Sequence, residues 1–375
     1  MNGTSRTSRK NKSKVKQQNK KSSNGQQNSN HYNGQQNTSP STSKKQQAML
    51  NAPVKLGDEV LVTIHGIGSS GEGVGRVEDF TVFVPFALPG ETVKVSISMV
   101  KKTYAIGRLL EIVTMAPNRI DASCDLYGFC GGCQLQHITY EGQLSLKTQK
   151  VKDVIERIGH QNPDLVKPTL GPKNPWAYRN KMQMPVGGTK GDIQMGFYAM
   201  GSHDIVQGTN CPIQDEGNNI IAQACYQIAK EFDIEPYDEH TGKGVLRHVI
   251  GIEIVEPAII NARENARRNG YDNTEFIVAD AAVEMPKLYK AGVRPDVIVF
   301  DPIRAGCKEE VLTSAANMEP KRIVYVSCNP ATMARDIEIL THYGYELKEV
   351  QPVDMFPMTA HVEAVALLTR SETTQ

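Results

Sequence analysis

Between Lys55 and Val113, apolar and polar positions alternate in short runs interrupted by glycine. Glu59-Val60-Leu61-Val62-Thr63-Ile64, Thr81-Val82-Phe83-Val84, Glu91-Thr92-Val93-Lys94-Val95-Ser96-Ile97 and the stretch from Ala105 to Val113 read as strands. The breaks fall at Gly66/Gly68, Gly71/Gly73/Gly75 and Pro89-Gly90. About five strands in some sixty residues predict a small antiparallel barrel of the oligonucleotide-binding type. From Gly251 onward the period changes. Ile252-Glu253-Ile254-Val255, Thr274 to Val278, Asp296 to Phe300 and Arg322-Ile323-Val324-Tyr325-Val326 read as strands, the last as a buried strand of a parallel sheet. Pro257 to Asn269 and Ala331 to Leu340 read as helices between them, and Tyr345 to Val350 with Ala364 to Leu368 as a hairpin-like end. Strand and helix in alternation predict a doubly wound α/β sheet with an antiparallel tail.

Charge divides the chain unevenly. Residues 1–48 carry ten Lys/Arg and no acid, against a net charge of only +1 for all 375 residues. The remainder holds 32 basic and 41 acidic residues, a net of −9. The basic segment is rich in Ser, Asn and Gln and has no apolar period, so it reads as disordered, either a salt-sensitive phosphate-seeking tail or a solubilising one. No apolar run approaches the roughly 18 residues of a membrane span. The first residues have no apolar core of the secretory kind, which makes a cytoplasmic location the expectation.

In that setting seven cysteines suggest metal binding or catalysis rather than disulfides. Cys124, Cys130 and Cys133 lie within ten residues, with Gly131-Gly132 between the last two, and Cys211 is remote. Four thiolates suit either zinc or an iron–sulfur cluster. Cys328 follows an apolar strand and precedes Asn329, a capping residue, and Pro330 at a first helical position. A thiol there lies at the carboxyl end of a strand, facing a helix amino end that favours thiolate. The alternative is a buried structural cysteine. Lys101, Lys102 and Tyr104 offer charge and a stacking face for single-stranded nucleic acid. Glu253, Asp280 and Asp301 lie near the ends of three strands, where acids in nucleotide-type sites meet cofactor.

Taken together, these residues resemble the RNA uracil-5-methyltransferase family over roughly residues 53 to 370. Gly71-Glu72-Gly73-Val74-Gly75-Arg76 and Pro85-Phe86-Ala87-Leu88-Pro89-Gly90-Glu91 resemble its TRAM barrel. The four cysteines, Tyr178-Arg179-Asn180-Lys181-Met182-Gln183 and Cys211-Pro212-Ile213 resemble its central region. Asp301-Pro302-Ile303-Arg304 is similar to a D-P-P-R motif with Ile303 in place of the second proline. Ser327-Cys328-Asn329-Pro330 and His361-Val362-Glu363-Ala364 resemble its catalytic motifs. The resemblance implies S-adenosylmethionine as methyl donor, Cys328 as nucleophile at C6 of a uridine, and Glu363 as the base that removes the C5 proton. It implies Glu253, Asp280 and Asp301 as cofactor-side acids. It also implies an iron–sulfur cluster, of 4Fe-4S type, on Cys124, Cys130, Cys133 and Cys211.

The barrel points to 23S ribosomal RNA as partner, since the transfer-RNA branch generally lacks it; no membrane or protein partner is implied. The expected division is a disordered basic tail (1–50), a TRAM barrel (53–115), an iron–sulfur and truncated central region (116–250) and a partial Rossmann-like domain (251–370).

The sequence departs from the family at Gly244-Val245-Leu246-Arg247-His248-Val249-Ile250-Gly251-Ile252-Glu253. Family members carry a long segment here that includes the first strand and the glycine-rich cofactor turn. Its absence leaves the methyltransferase sheet incomplete and exposes a strand edge. Three functions follow: an RNA methyltransferase of doubtful activity, a non-catalytic RNA-binding pseudoenzyme, or a small-molecule enzyme on the same sheet, which the barrel and tail disfavour.

Overall fold

The computed structural model describes residues 52–236, 244, 248–251, 267–268 and 281–371. The expected tail, Glu253, Asp280, the helix from Pro257 and the strands at Ile252 and Thr274 lie outside the described residues, apart from Arg267 and Arg268, which are helical.

Five strands close into a barrel: β1 (Glu59–Ile67), β2 (Gly73–Val77), β3 (Phe80–Val84), β4 (Thr92–Val100) and β5 (Tyr104–Thr114), in the order β1-β2-β3-β5-β4. Two expectations need correcting. The Gly73/Gly75 segment is not a break but strand β2. It crosses β1 so closely that a Cβ at Gly75 would run into Val62 and the Thr63 carbonyl oxygen, so glycine is what lets the barrel close there. The barrel is also not wholly antiparallel, because β3 and β5 pair in parallel. Closing five strands in this order brings two strands of the same direction together. Alternation does the rest: Val62, Ile64, Val82, Val84, Val93, Val95 and Ile97 point inward and are essentially buried. Each such side chain contributes about 1.5–3 kcal/mol by leaving water.

Helix α1 (Tyr140–Arg157) is capped by Thr139, whose side chain accepts from the Gly142 N–H. Its buried positions Gln143, Lys147, Val151 and Ile155 are four residues apart and form one stripe. The central sheet, in the order β8-β7-β6-β9, consists of β6 (Met182–Thr189), β7 (Asp192–Tyr198), β8 (Ile205–Gln207) and β9 (His248–Gly251). Helix α2 (Glu216–Glu231) packs on it, with Ala222 and Ala229 joining Met182, Met184 and Met195 in one cluster. The start of the anomalous junction is thus put to use: His248–Gly251 pairs antiparallel with Met182–Pro185.

The last part begins with α3 (Ala281–Lys290), followed by β10 (Val297–Phe300), α4 (Glu309–Asn317), β11 (Arg322–Ser327), α5 (Pro330–Thr341), β12 (Tyr345–Val353) and β13 (Glu363–Arg370). The sheet order is β10-β11-β13-β12. Strand β11 was expected in a parallel sheet, buried on both faces. It is parallel to β10 but antiparallel to β13, and its burial alternates. Inserting β13 between β11 and β12 makes the sheet mixed. Among the described residues β10 is an edge strand, and Val299 on it is 64% exposed.

Candidate active site at the carboxyl ends of β10 and β11

The Cys328 thiol lies where β11 gives way to α5. Ser327, almost fully buried, turns the chain: its hydroxyl accepts from the Asn329 N–H (3.0 Å) and donates to the Asn329 carbonyl (3.1 Å). Asn329 caps α5 by accepting from the Ala331 N–H (3.3 Å), and Pro330 opens the helix, as the sequence predicts. Cys328 is therefore held half-buried at a helix amino end.

Strand pairing brings the second residue to it. The β11–β13 ladder runs antiparallel through Val326↔Val365 to Ser327↔Ala364. The ladder ends at that pair, and Cys328 and Glu363 are the next residues beyond it on the two chains, Glu363 being the first residue of β13. Burial raises the Glu363 carboxyl above the usual range, the nearby Asp301 charge raises it further, and Arg304 opposes both. Asp301 itself is exposed, one residue past β10.

The Asp301–Arg304 loop is tied to the same helix end. The Arg304 carbonyl accepts from Asn329 Nδ2 (3.1 Å) and Thr332 Oγ1 (3.2 Å). Its guanidinium lies 3.3 Å from His361 Nδ1. Burial lowers the His361 imidazole, and the charges of Arg304, Lys150 and Lys147 lower it further. Further along the loop, the Cys307 N–H donates to Asp336 (2.8 Å), which also takes Arg335 and the Tyr325 hydroxyl. The sequence analysis named neither Arg304–His361 nor Asp336 as a pair, since neither has a local spacing.

A third set of groups holds the segment that leads to Glu363. Lys147 on α1 pairs with Asp354 at 2.5 Å, both buried, and also donates to the Phe356 carbonyl (3.1 Å). Burial lowers the Lys147 ammonium, and Asp354 works against that. Gln143 accepts from the Met358 N–H (2.8 Å), and Lys150 donates to the Ala360 carbonyl (2.8 Å). Gln134 and Leu135 both donate their backbone N–H to the Met358 carbonyl at 3.0 Å. The sequence signal was present in α1: two polar side chains on an otherwise apolar stripe.

Cys124, Cys130, Cys133 and Cys211 line one cavity of about 1050 Å³, which His361 also reaches. Among the described residues no three His, Cys, Asp or Glu side chains converge tightly enough to grip a single ion. Burial pushes the Cys133 thiol up to about 12; the Gln136 side chain opposes this, and the charges of the other three cysteines add to it. Cys130 and Cys211 are raised chiefly by burial as well. The Gly132 N–H donates to Cys130 Sγ at 3.3 Å. Of the cofactor-side acids, only Asp301 lies among the described residues.

The chain thus combines a five-stranded barrel with a mixed α/β sheet that carries Cys328 and Glu363 at its strand ends. The comparisons agree: the TRAM domain model matches residues 53–110, and the tRNA (Uracil-5-)-methyltransferase model matches residues 243–371. An uncharacterised RNA methyltransferase of Halalkalibacterium halodurans is 35% identical over 456 aligned positions, covering 86% of this chain and 99% of its own. One from Clostridium acetobutylicum is 34% identical over 452 positions, covering 85% and 98%. The chain belongs to the RNA uracil-5-methyltransferase family. With 86% of 375 residues set against 456 positions, about 130 positions of the Halalkalibacterium relative stand opposite gaps in this chain. Among solved structures, the Pyrococcus abyssi tRNA (uracil-54, C5)-methyltransferase with S-adenosyl-L-homocysteine has a similar fold. The TM-score is 0.63 at 21% identity, over 83% of this chain and all of that one. No described helix is long and apolar enough to cross a membrane.

Proposed function

We propose that this chain binds RNA and addresses C5 of a uridine through Cys328 and Glu363, with methyl transfer itself severely impaired. The observation that carries the reading is that Cys328, at a capped helix end, and Glu363 both lie just beyond the last pair of the β11–β13 ladder. C5 of uracil is a weak nucleophile. Addition of the Cys328 thiolate to C6 makes C5 an enolate-like carbon able to take an electrophile. Glu363 then accepts the C5 proton, and the C6–S bond breaks to restore the ring and the thiolate. Arg304 and His361 lie beside that carboxylate, and the uridine enters unstacked.

S-adenosylmethionine is the proposed donor and would supply the methyl group. Its cradle does not fit the residues present, because no glycine-rich turn follows a strand-like run anywhere in residues 251–370 of the sequence. The roughly 130 gapped positions support the same reading. Losing about 1 Å of positioning costs on the order of 100-fold, and an absent turn costs more. A non-catalytic RNA-binding role is the second reading, favoured by the same gap.

The test is incorporation of tritiated methyl groups into unmodified 23S ribosomal RNA and, in parallel, transfer RNA, with a full-length relative as control. The barrel supports 23S as substrate. Transfer RNA is included because a similar fold over 83% of this chain belongs to a protein named for it. Incorporation within tenfold of the relative's rate, lost in Cys328→Ala, would overturn the impairment.

The four cysteines are proposed to hold a 4Fe-4S cluster. Four thiols lining one cavity, with a backbone N–H on one sulfur, support this reading. Anaerobically purified protein is expected to be brown, with iron and sulfide in equal amounts, and Cys211→Ser to bleach it. A colourless protein with one zinc would sink the assignment.

Residues 1–50 are proposed to be a disordered anchor in a cytoplasmic protein, preceding the barrel (53–115), the cluster region (116–250) and the partial methyltransferase domain (251–370). Deleting residues 1–48 is expected to flatten the dependence of log affinity for RNA on log salt. An unchanged slope would make the segment a bystander.

A further inference from the structure

We propose that a cavity between the barrel and the cysteine-bearing loop is a second base pocket, taking one unstacked nucleobase that flanks the target uridine. The inference rests on the RNA reading above and names a subsite of it. The cavity holds about 500 Å³, and its walls include Phe83, Phe86, Tyr104 and Ile106, with Glu72 and Gln134 among its polar members.

Strand alternation builds this surface. Val82, Val84 and Ala105 fill the barrel, so Phe83, Tyr104 and Ile106 must face outward. The parallel β3–β5 pairing sets Phe83 beside Ile106 and brings the Phe83 and Tyr104 rings to 5.4 Å, edge to face at 84°. Phe86 holds its place with a φ of +67°, unusual for a bulky residue, and packs edge-on against Tyr127 at 5.6 Å.

The pocket lies beside the segment that leads to His361 and Glu363. Gly71 lines it, and a Cβ there would stand 3.0 Å from Gln134 Cβ and 3.4 Å from Ala360 Cβ. Ala360 precedes His361, and Lys150 Nζ joins the two segments by donating to the Ser69 carbonyl (3.2 Å) and the Ala360 carbonyl (2.8 Å). Exposed Lys101 and Lys102 sit in the turn just before Tyr104, where a phosphate backbone would pass.

An aromatic-walled space beside a basic turn has room for one base and offers it a stacking face. Flipping a uridine strips its neighbour of a stacking partner, and the pocket replaces it. A carboxylate accepts hydrogen bonds and donates none, so Glu72, which already takes the Ser70 N–H at 3.0 Å, offers its remaining acceptor sites to an amine or ring N–H of the base.

The test uses a fluorescent oligoadenylate with one central uridine, and the same oligomer made abasic at one position on either side. Tyr104→Leu and Phe83→Leu keep the apolar volume of the barrel face. Tyr104→Leu is expected to weaken binding roughly tenfold, with the salt slope unchanged. One abasic oligomer is expected to bind the wild type about tenfold less well, and the variant no less well than that. Replacing the neighbouring adenines by uracil is expected to weaken wild-type binding, because the smaller ring covers less of the aromatic wall. An equal further loss in Tyr104→Leu on every abasic oligomer, or no loss on the intact one, overturns the pocket while leaving RNA binding intact. A wild type that binds none of the oligomers overturns the RNA reading itself.

Discussion

Cys328→Ala is expected to abolish release of tritium from RNA labelled at C5 of uridine, measured in water without any methyl donor. Addition of the thiolate to C6 makes C5 basic enough to pick up a solvent proton. Removal of either C5 hydrogen by Glu363 then expels the thiolate, so label is washed out with no methyl group transferred. The half-reaction needs only a thiol at the capped end of α5 and a carboxyl at the same end of the β11–β13 ladder. Wild-type exchange should therefore survive the missing cofactor turn, and the alanine variant should fall to background. No exchange in the wild type would remove Cys328 from the role of nucleophile in this chain. The pH profile adds a second readout. Glu363 is raised by burial and then by Asp301, so its base form appears only above the ordinary glutamate range, and the acidic limb of exchange should lie there. Asp301→Asn removes the like charge, so the limb should move to lower pH, part of the way because burial remains. A limb that stays in place would mean that another group accepts the proton.

Lys147→Met is expected to destabilise the fold by about 3–5 kcal/mol in urea unfolding, the typical cost of stranding one partner of a buried ion pair. The variant leaves Asp354 buried with only the Tyr140 hydroxyl (3.1 Å) and the Phe356 N–H (3.1 Å). Replacing both charges, as in Lys147→Met with Asp354→Leu, should recover much of the loss, because the desolvation of the carboxylate goes with it. The pair ties α1 to the start of the segment that ends in His361 and Glu363, so tritium release should fall in the single variant under conditions where it is still folded. A loss under about 1 kcal/mol would place the pair among exposed bridges of little weight.

The two predictions differ in how much of their basis could be read from residues alone. The Ser-Cys-Asn-Pro run identified a strand end, a cap and a thiol by local chemistry, and the structure keeps all three. The barrel was legible for the same reason, since a period of two describes a strand without reference to its neighbours. Its glycines were misread because Gly75 matters only where β2 crosses β1, a contact between separate segments. Lys147 looked like an ordinary helix lysine; only the fold, which brings Asp354 from more than two hundred residues away, makes it a buried anchor.

By itself, then, the sequence determined the barrel, the alternating α/β end, the four thiols and the thiol–helix junction, because periodicity, capping and motif chemistry are properties of short segments. Tertiary structure decided the parallel β3–β5 closure, the insertion of β13 beside β11 and the aromatic pocket on the barrel's outer face. It also decided that Cys328 and Glu363, 35 residues apart in the chain, both lie at the end of one strand pair. Such pairings depend on which strands become neighbours and in which register, and a one-residue slip would turn Glu363 to the other face of the sheet. That choice is made by the whole buried core, in which Ile323, Tyr325, Ala364 and Ala366 pack against Met333 and Ile337 of α5.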